Sequence, residues 1–505
     1  MPLSPQTVVV YFDPLLSYGT DRPFSPSVLY PEYPFSDLMG PGNKNPSYDA
    51  VRNFLHLSGM DAQHFGTRRW NPLGELIRPG ETVLIKPNFV LHENHSGETV
   101  DCVHTHASLI RAVLDYVHIA LCGKGRIIVG DAPLQSCQFT KLCDTSGMSQ
   151  VIEFYKKYAL ASIELIDFRQ QHASTDHSRQ IVEVVSADGD PRGYSVVDLG
   201  ARSMLAPVSR RSSRFRVTNY DPTKMSLHHN LEVNEYLVSQ SVLTADVVIS
   251  MPKMKTHRKA GITGALKNLV GINGHKDWLP HHSKGSKRMG GDEYLCPSLL
   301  KLIGDAVMEK EDVSKQLLVK KALRPIRSAL YCAGRVLTRD KYMEGSWWGN
   351  DTIWRTVLDL NRILIYADKR GMICETPQRR VFFLVDGIVA GDHEGPLAPS
   401  AKEAGLILGG TCAATVDAVM ARVMGFDYKK IPAVRESFRI SELPITPYQA
   451  SQINLRANST VFADLKVDEP GFDLRFEPTR GWKGHIELKE IDCAPKPTGL
   501  SPNAA

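Results

Sequence analysis

Short apolar segments alternate with amphipathic ones along the chain, as they do where strands are followed by helices. The first clear strand is TVLIKPN at 82–88. The next segment, 107–121, repeats apolar residues at spacings of three and four and predicts a helix ended by Gly123 and Gly125. RIIVGD at 126–131 predicts the following strand. This order predicts an α/β fold with a mostly parallel sheet flanked by helices.

The alternation continues to about residue 425. Further helices are predicted at 149–158, 234–243 and 411–425, and further strands at 163–168, 245–251, 381–387 and 404–410. Thr411 is the expected N-cap of the last helix, and Gly425 lies just past its expected end.

The pattern divides the chain into six parts. They are an N-terminal α/β part (1–168), a small β-rich insertion (169–232), an α/β part with a basic glycine-rich segment (233–309), a helical insertion (310–375), a C-terminal α/β part (376–440) and a polar tail with short strands (441–505). We expect the helical insertion to pack beside the functional site, because the core strands resume after it without a gap in the pattern.

Composition excludes several classes of protein. A hydrophobic fraction of 42% and a charged fraction of 23% are typical of a globular chain rather than a disordered one. The sequence contains no apolar stretch long enough to predict a transmembrane helix, and its first residues do not resemble a secretion signal. None of the nine cysteines forms a CxxC pair, which argues against a zinc or ferredoxin-type site. We therefore expect a cytoplasmic protein; the oligomeric state is left open.

The positive charge is concentrated in one segment. The net charge is +5, yet residues 253–288 hold nine Lys or Arg and one Asp, a local charge of +8. The rest of the chain therefore carries 5 − 8 = −3. A short basic segment in an otherwise acidic protein indicates binding of an anion.

Polar side chains follow four of the predicted strands. They are Lys86 and Asn88, Asp131, the segment PKMKTH at 252–257, and Asp386. Ligands of open α/β sheets bind outside the carboxyl ends of the strands. We therefore expect these groups to meet at one edge of the sheet.

The basic segment combines alternating cations with glycines. In an extended chain Lys253, Lys255 and His257 share one face, so their charges need an anion between them. GITGALKNLVGIN follows, with Gly264, Lys267 and Asn268. Glycine lets the backbone approach a ligand closely, but the spacing matches neither a Walker A loop nor a GxGxxG motif. We expect Lys253, Lys255 and Lys267 to converge on one pocket.

Two further groups are candidates for metal binding and support. His281 and His282, together with Glu394 after the strand at 381–387, are the candidate metal ligands, with a divalent ion as one option for a cofactor that the sequence leaves open. Asp417 lies on the apolar stripe of the helix at 411–425. A buried carboxylate needs a partner, so we expect Asp417 to hold a lysine or backbone amides.

The motifs resemble the family known as domain of unknown function 362. The resemblance lies in VLIKPNFV, VGDAP, ADVVISMPKMKTH, GITGALKNLVG, VDGIVAGDHEGP and AATVDAVMARVMG, spread over roughly 82–425. Many relatives carry a ferredoxin-like cluster module, which the absence of CxxC does not support here. The family is distantly similar to the lactate racemase group, whose nickel cofactor is tethered through a Lys and a His. That similarity implies Lys267 and His281 or His282 as counterparts.

The leading hypothesis is an enzyme that acts on a carboxylate- or phosphate-bearing small molecule, in its most specific form an epimerase or racemase. The candidate catalytic residues are Lys267, His257, Asp386 and Asp131. The candidate substrate-binding residues are Lys86, Asn88, Lys253, Lys255, Asn268 and Gly264. The three metal candidates and Asp417, as a supporting residue, complete the set.

Three alternatives remain at this point. One is an iron–sulfur or metal-linked redox accessory protein, as the relatives suggest. Another is a non-catalytic binder of an anion or of nucleic acid, although the basic segment has Trp278 as its one aromatic residue. The third concerns the helix predicted at 313–337, which is basic on one side and apolar on the other. Such a helix suits a membrane surface or a cap over the site.

Overall fold

A ten-stranded sheet forms the centre of the protein. The computed structural model describes residues 3–38, 44–176, 179, 181–218, 220–314, 316–469 and 471–488. Numbered along the chain, the strands are β1 Thr7–Phe12, β2 Thr82–Pro87, β3 Arg126–Asp131, β4 Ser162–Asp167, β5 Gln171–Thr175, β6 Ile181–Ser186, β7 Tyr194–Asp198, β8 Phe215–Arg216, β9 Glu235–Ser239, β10 Val247–Met251, β11 Lys253–His257, β12 Gly261–Thr263, β13 His282–Ser283, β14 Arg380–Glu394, β15 Ala398–Gly410 and β16 Asn454–Ala457.

The sheet is mostly parallel, as predicted. Its order is β16-β1-β15-β14-β10-β2-β3-β4, and β11 pairs with β14 and β12 beside this path. The strands β14, β10, β2, β3 and β4 run parallel to one another. The antiparallel pairs are β1 with β15, β14 with β15, and β11 with β12. The fold is therefore α/β, with its parallel strands ending at one edge.

Helices cover both faces of the sheet. They are α1 Pro46–Leu57, α2 Ala107–Leu121, α3 Phe139–Ser146, α4 Met148–Tyr158, α5 Met225–His228, α6 Gln240–Thr244, α7 Ala265–Asn268, α8 Leu299–Val313, α9 Leu317–Thr338, α10 Ile353–Tyr366, α11 Ala413–Met424, α12 Pro432–Ser437 and α13 Thr460–Ala463. None of the helices in the described ranges is both long and apolar enough to cross a membrane.

Alternation along the strands creates two hydrophobic cores. Val83 and Ile85 of β2 pack in the core that contains α1, α2 and α4. Leu84, between them, packs in the core that contains α7, α10 and α11. Successive side chains of a strand point to opposite faces, so each apolar strand supplies both layers.

Several predicted elements differ from the structure. Residues 234–243 form β9 and the short α6 rather than one helix, because Tyr236 and Val238 pair their backbone with β7. The strands predicted at 381–387 and 404–410 extend to 394 and begin at 398, since they form one long hairpin that includes Glu394. Cys412, not Thr411, is the N-cap of α11, and Thr411 donates to the Leu3 carbonyl instead.

The helix at 107–121 and the strand at 126–131 are confirmed at both ends. The segment 169–232 contains β5 to β8 with short helical turns, and the described part of 310–375 contains the end of α8, α9 and α10.

Two contributions to the central sheet were not predicted. β1 lies between β15 and β16, so the first residues and the polar tail complete the sheet beyond its hairpin. Residues beyond 488 lie outside the described ranges.

Candidate anion-binding site

A pocket of about 170 Å³ lies beyond the ends of β2, β3 and β11. Its ionisable lining is dominated by cations and imidazoles, namely Lys259, Lys267, Lys276, Arg258, His257 and His281. Among the described residues that line the pocket, Asp131 is the one carboxylate. A site with this balance of charge favours a ligand that carries negative charge.

The carboxylate of Asp131 is committed to the floor of the pocket. Lys86 Nζ lies 2.7 Å from Asp131 Oδ1, and the Phe89 amide donates to Oδ2 at 2.8 Å. Both side chains are buried, and Lys86 also donates to Asn268 Oδ1 at 3.1 Å. Burial lowers the pKa of Lys86, and Asp131 opposes that shift. Asp131 is therefore neutralised by Lys86 rather than by the lysines of the pocket wall.

The lysines of the wall have no carboxylate at hydrogen-bonding distance. No hydrogen bond or salt bridge to the Lys267 ammonium forms among the described residues. Lys259 donates to Thr218 Oγ1 at 3.0 Å, and Lys276 donates to the Val270 carbonyl at 3.3 Å. Burial lowers the pKa of Lys267 and of Lys259 to about 8, and that of Lys276 to about 7. Lys86 adds to the shift of Lys267 by charge repulsion.

The two pocket histidines are held in opposite tautomers. His257 Nδ1 accepts the backbone amides of Lys259 and Ala260, both at 3.1 Å, so the proton of the neutral ring is on Nε2. His281 Nδ1 lies 2.7 Å from the Leu279 carbonyl, which only accepts, so Nδ1 carries the proton and Nε2 a lone pair. Burial followed by the charge of Lys267 lowers the pKa of both rings well below the usual range. His257 thus offers a donor and His281 an acceptor.

The pocket lining includes buried polar atoms that are unsatisfied. Asn88 Oδ1 and Thr263 Oγ1 are both shielded from solvent and have no hydrogen-bond partner in the described structure. Leaving a buried polar atom unpaired costs about 1–3 kcal/mol. A hydrogen-bonding ligand in the pocket would remove that cost.

Asp417 positions the helix that carries Lys267. Its carboxylate accepts the amide of Ala265 at 2.6 Å and that of Leu266 at 3.0 Å, at the first turn of α7. Burial raises the pKa of Asp417 to about 7. Gly264 permits this approach, because a Cβ there would overlap Asp417 Oδ1. Asp417 therefore holds backbone donors, one of the two partners expected from the sequence.

Lys253 and Asp386 form a second buried centre away from the pocket lining. They are register partners on β11 and β14, and Lys253 Nζ lies 2.6 Å from Asp386 Oδ2. Tyr18 donates to Asp386 Oδ1 at 2.6 Å, and the His106 amide donates to Oδ2 at 2.9 Å. Burial and the charge of Asp386 raise the pKa of Tyr18. The polar residues that follow the four predicted strands therefore form two separate groups, one around Lys86 and Asp131 and the other around Lys253 and Asp386.

Lys255 lies outside the pocket lining as well. Its ammonium donates to the Val103 carbonyl. Burial and the charge of Lys253 lower its pKa to about 7. Of the three lysines expected to converge, Lys267 alone lines the pocket, together with the predicted residues His257, Asn88, Asn268, Asp131 and His281. Alternation on a strand predicts that Lys253 and Lys255 share one face, but Asp386 and the Val103 carbonyl bind their ammonium groups instead of a ligand in the pocket.

The structure does not bring the three candidate metal ligands together. His282 is buried, with Nδ1 3.4 Å from Lys259 Nζ and Nε2 3.7 Å from Glu293. Glu394 lies at the end of β14, where it accepts the Arg480 amide at 2.9 Å. Within the described ranges, no group of three or more His, Cys, Asp or Glu side chains is arranged to hold a metal ion.

Sequence reasoning missed several residues of the site. Lys259, Lys276 and Arg258 belong to the basic segment at 253–288 but lie outside the run PKMKTH that follows the predicted strand at 245–251, so that run gave no signal for them. Thr263 and Gly271 come to the pocket because the chain folds back through β12 and α7. The clustering of Lys and Arg at 253–288 was the sequence signal that could have found the three cations.

Comparison with known proteins identifies the family to which this site belongs. The family model described as "Domain of unknown function (DUF362)" matches residues 83–187 and 206–422, which is more than half of the chain. The chain belongs to this family. The DUF362 match includes the strand ends at Lys86 and Asp131 and the basic segment around the pocket.

Two other comparisons add little to the DUF362 assignment. No curated protein matches the chain. A crystal structure of a protein from Thermotoga maritima is similar with a TM-score of 0.29 and 8% sequence identity, over 70% of this chain and 54% of that one. The chain thus spans about half the length of that protein.

Proposed function

We propose that this DUF362 protein binds a small carboxylate- or phosphate-bearing metabolite in the pocket and acts on it as an enzyme. The observation that carries the proposal is the Lys267 ammonium, which has no hydrogen-bond or ion-pair partner among the described residues, in a pocket shared with Lys259 and Lys276. Neighbouring cations around a pocket repel one another unless an anion compensates them. The unsatisfied Asn88 and Thr263 oxygens add hydrogen-bonding positions for the same ligand.

The size and burial of the site favour a small molecule over nucleic acid. The pocket volume of about 170 Å³ is below the ~300–1,000 Å³ of sites for drug-sized ligands. Lys253, Lys255 and Lys259 of the basic segment are buried, so these charges do not form an exposed stripe along which a phosphate backbone could lie.

The histidine tautomers support proton transfer as the reaction, in the epimerase or racemase class. In this proposal the His281 Nε2 lone pair takes a proton from the carbon next to the substrate carboxylate, and the Lys267 ammonium returns one to that carbon. His257 Nε2–H donates a hydrogen bond to the anion. A bound anion offsets the charge of Lys267, so the pKa of His281 rises when substrate is present, which strengthens it as a base.

The binding part of the proposal is tested with Lys267→Met. We expect sulfate and small carboxylates to raise the melting temperature of the unchanged protein. Lys267→Met should weaken their binding by about 1.5–3 kcal/mol, the range of a hydrogen bond to a charged group. Lys287→Met is the matched control, because Lys287 is an exposed lysine of the same basic segment. Equal anion binding by both variants would contradict the proposal.

The catalytic part is tested separately with His281→Gln. Solvent deuterium exchange into candidate 2-hydroxy and 2-amino acids, followed by NMR, measures removal of the carbon-bound proton. We expect exchange in the unchanged protein and at least a hundredfold loss in His281→Gln, since general base catalysis contributes about 10²–10⁴-fold. If the unchanged protein binds anions but catalyses no deuterium exchange, the catalytic part of the proposal is wrong and the protein is an anion binder.

A further inference from the structure

The helices α8 and α9 expose apolar side chains and bury charged ones. In α9, Leu318, Val336 and Leu337 are exposed to 81%, 72% and 75%. The Arg324 and Arg327 side chains of the same helix are exposed to only 16% and 18% and contact Glu311 at 2.8 and 2.9 Å. A helix on the surface of a protein in water normally has the reverse arrangement.

Helix α8 has the same inverted arrangement. Leu299 and Ile303 are exposed, whereas Lys301, Asp305 and Glu311 are buried. Lys301 lies 3.1 Å from Asp340, and Tyr331 of α9 donates to Asp305 at 2.7 Å. We call α8 and α9 the hairpin, and its exposed apolar side chains the outer face: Leu299, Ile303, Leu318, Ile326, Val336 and Leu337.

The outer face is a concentration rather than scattered exposure. Of the 22 large apolar side chains that are exposed in the described ranges, nine lie between residues 295 and 337. Six exposed apolar residues of α9 follow one another at spacings of three and four: Leu318, Ala322, Pro325, Ala329, Ala333 and Val336. They therefore form one continuous stripe along the helix.

The hairpin is held to the body of the protein by polar contacts. None of its residues belongs to either hydrophobic core of the described structure. Glu309 of α8 lies 2.8 Å from Arg216 and 2.7 Å from Lys284, and Arg324 of α9 lies 3.3 Å from Asp176. The outer face therefore contributes nothing to the packing of the fold and remains available to a partner.

The exposed charges around the outer face have one sign. In the described residues from 295 to 341, every exposed charged side chain is basic: Lys310, Lys321, Arg335, Arg339 and Lys341. A second copy of this chain placed symmetrically on the same face would bring these cations against their own copies. A partner with an apolar interior and an anionic surface is complementary to the apolar stripe and to the basic side chains around it.

We propose that the outer face of the hairpin docks onto an anionic lipid bilayer. The apolar stripe of α9 would lie in the plane of the interface, at the depth of the headgroups and upper acyl chains, with the basic side chains at the lipid phosphates. Ionisable groups turned toward the protein and apolar groups turned toward lipid are the arrangement that a bilayer favours. The helix lies on the membrane and does not cross it.

Co-sedimentation of the full chain with vesicles tests the proposal. One set of vesicles is phosphatidylcholine and the other is phosphatidylcholine with phosphatidylserine. We expect binding to the phosphatidylserine vesicles that weakens with added salt. The triple variant Leu318→Ser, Val336→Ser, Leu337→Ser should bind more than tenfold less, because each leucine or valine that is buried in the interface adds to the binding free energy. Lys321→Gln with Arg335→Gln should weaken binding about fivefold per charge.

The control is a second triple variant, Leu15→Ser, Leu160→Ser, Leu231→Ser. These leucines are exposed to 87%, 84% and 73% outside the hairpin, so the change in surface composition is matched. The control should bind like the unchanged chain. Equal loss in both triple variants overturns the proposal. The absence of vesicle binding also overturns the proposal. If size-exclusion chromatography then shows a dimer that the outer-face variant abolishes, the outer face is an interface between two copies of the chain.

Discussion

The ammonium of Lys86 and the carboxylate of Asp131 form a buried ion pair, 2.7 Å from Nζ to Oδ1, beneath the candidate pocket. Each residue comes from one of two adjacent parallel strands, β2 and β3. The pair also accepts the Phe89 amide and donates to Asn268, so it links both strands to α7. It therefore supports the pocket floor and leaves the lysines of the wall without a carboxylate partner in the described structure.

Replacing Asp131 by Asn should destabilise the protein. The change leaves the buried Lys86 without a counter-charge, which costs about 3–5 kcal/mol for a buried pair. Chemical denaturation measures the loss. The double variant Lys86→Met, Asp131→Asn should recover much of the stability, because it removes both charges. A double variant less stable than Asp131→Asn alone would show that Lys86 needs no counter-charge.

Gly271→Ala should disturb the same pair from the other side. A Cβ at Gly271 would overlap Asp131 Oδ1 and lie 2.7 Å from Lys86 Nζ. We expect a lower melting temperature and weaker sulfate binding, since the pair and the pocket wall must both move. Gly66 and Gly80 are not suitable control positions, because each has a positive φ at which an alanine would be strained. Ala132→Ser, beside Asp131 on the pocket lining, tests the effect of a small added group there.

Asp386→Asn is expected to reduce stability. Its place at the end of the strand predicted at 381–387 suggests a group near water. Instead the carboxylate is buried and pairs with Lys253 and Tyr18. Breaking the pair should cost about 3–5 kcal/mol in a denaturation experiment. An unchanged free energy of unfolding with lost anion binding would restore a direct role for Asp386.

Asp417→Asn should weaken both the fold and the position of Lys267. The two carboxylate oxygens each accept a backbone amide, from Ala265 and Leu266. An asparagine would turn its NH₂ group toward one of these donors, at a cost of about 1–3 kcal/mol. The variant should melt at a lower temperature and bind sulfate less tightly. Unchanged values for both would separate Asp417 from the placement of α7.

Anion binding should decrease as pH rises through about 7 to 8. Burial lowers the pKa of Lys276 to about 7 and those of Lys259 and Lys267 to about 8. These lysines lose charge in the folded protein while the unfolded chain still binds their protons up to about pH 10.4. Across that window the unfolded state binds more protons, so these groups make the ligand-free fold more stable as pH rises.

Sulfate is the suitable probe because its own charge is constant over this range. Its stabilising effect, measured as a shift in melting temperature, should be larger near pH 6.5 than near pH 9, which lie about half a unit below and about one unit above the lysine pKa range. Lys267→Met should show a smaller effect at the lower pH and a weaker pH dependence. A larger sulfate effect at the higher pH would contradict protonated lysines as the binding groups.

The sequence by itself determined the class of fold and the main parallel strands. Apolar residues in 107–121 and 126–131 repeat with the periods of a helix and a strand, and these local patterns survive in the structure because both elements pack against one sheet. The sequence also indicated a basic segment, which contains Lys267, His257 and His281 of the pocket. Composition and periodicity are local properties, so they can be read without knowing the neighbours.

Only the tertiary structure decided which charges meet. Lys253 and Lys267 belong to the same basic segment, yet Lys253 pairs with Asp386 while Lys267 lines the pocket and has no partner in the described part of the chain. The difference depends on strand register and on the turn through β12, which bring distant residues together or keep near ones apart. Likewise, the amphipathic pattern of α9 does not say which side faces water. Ion pairs to Glu311 turn its arginines inward, and that contact leaves the apolar side exposed.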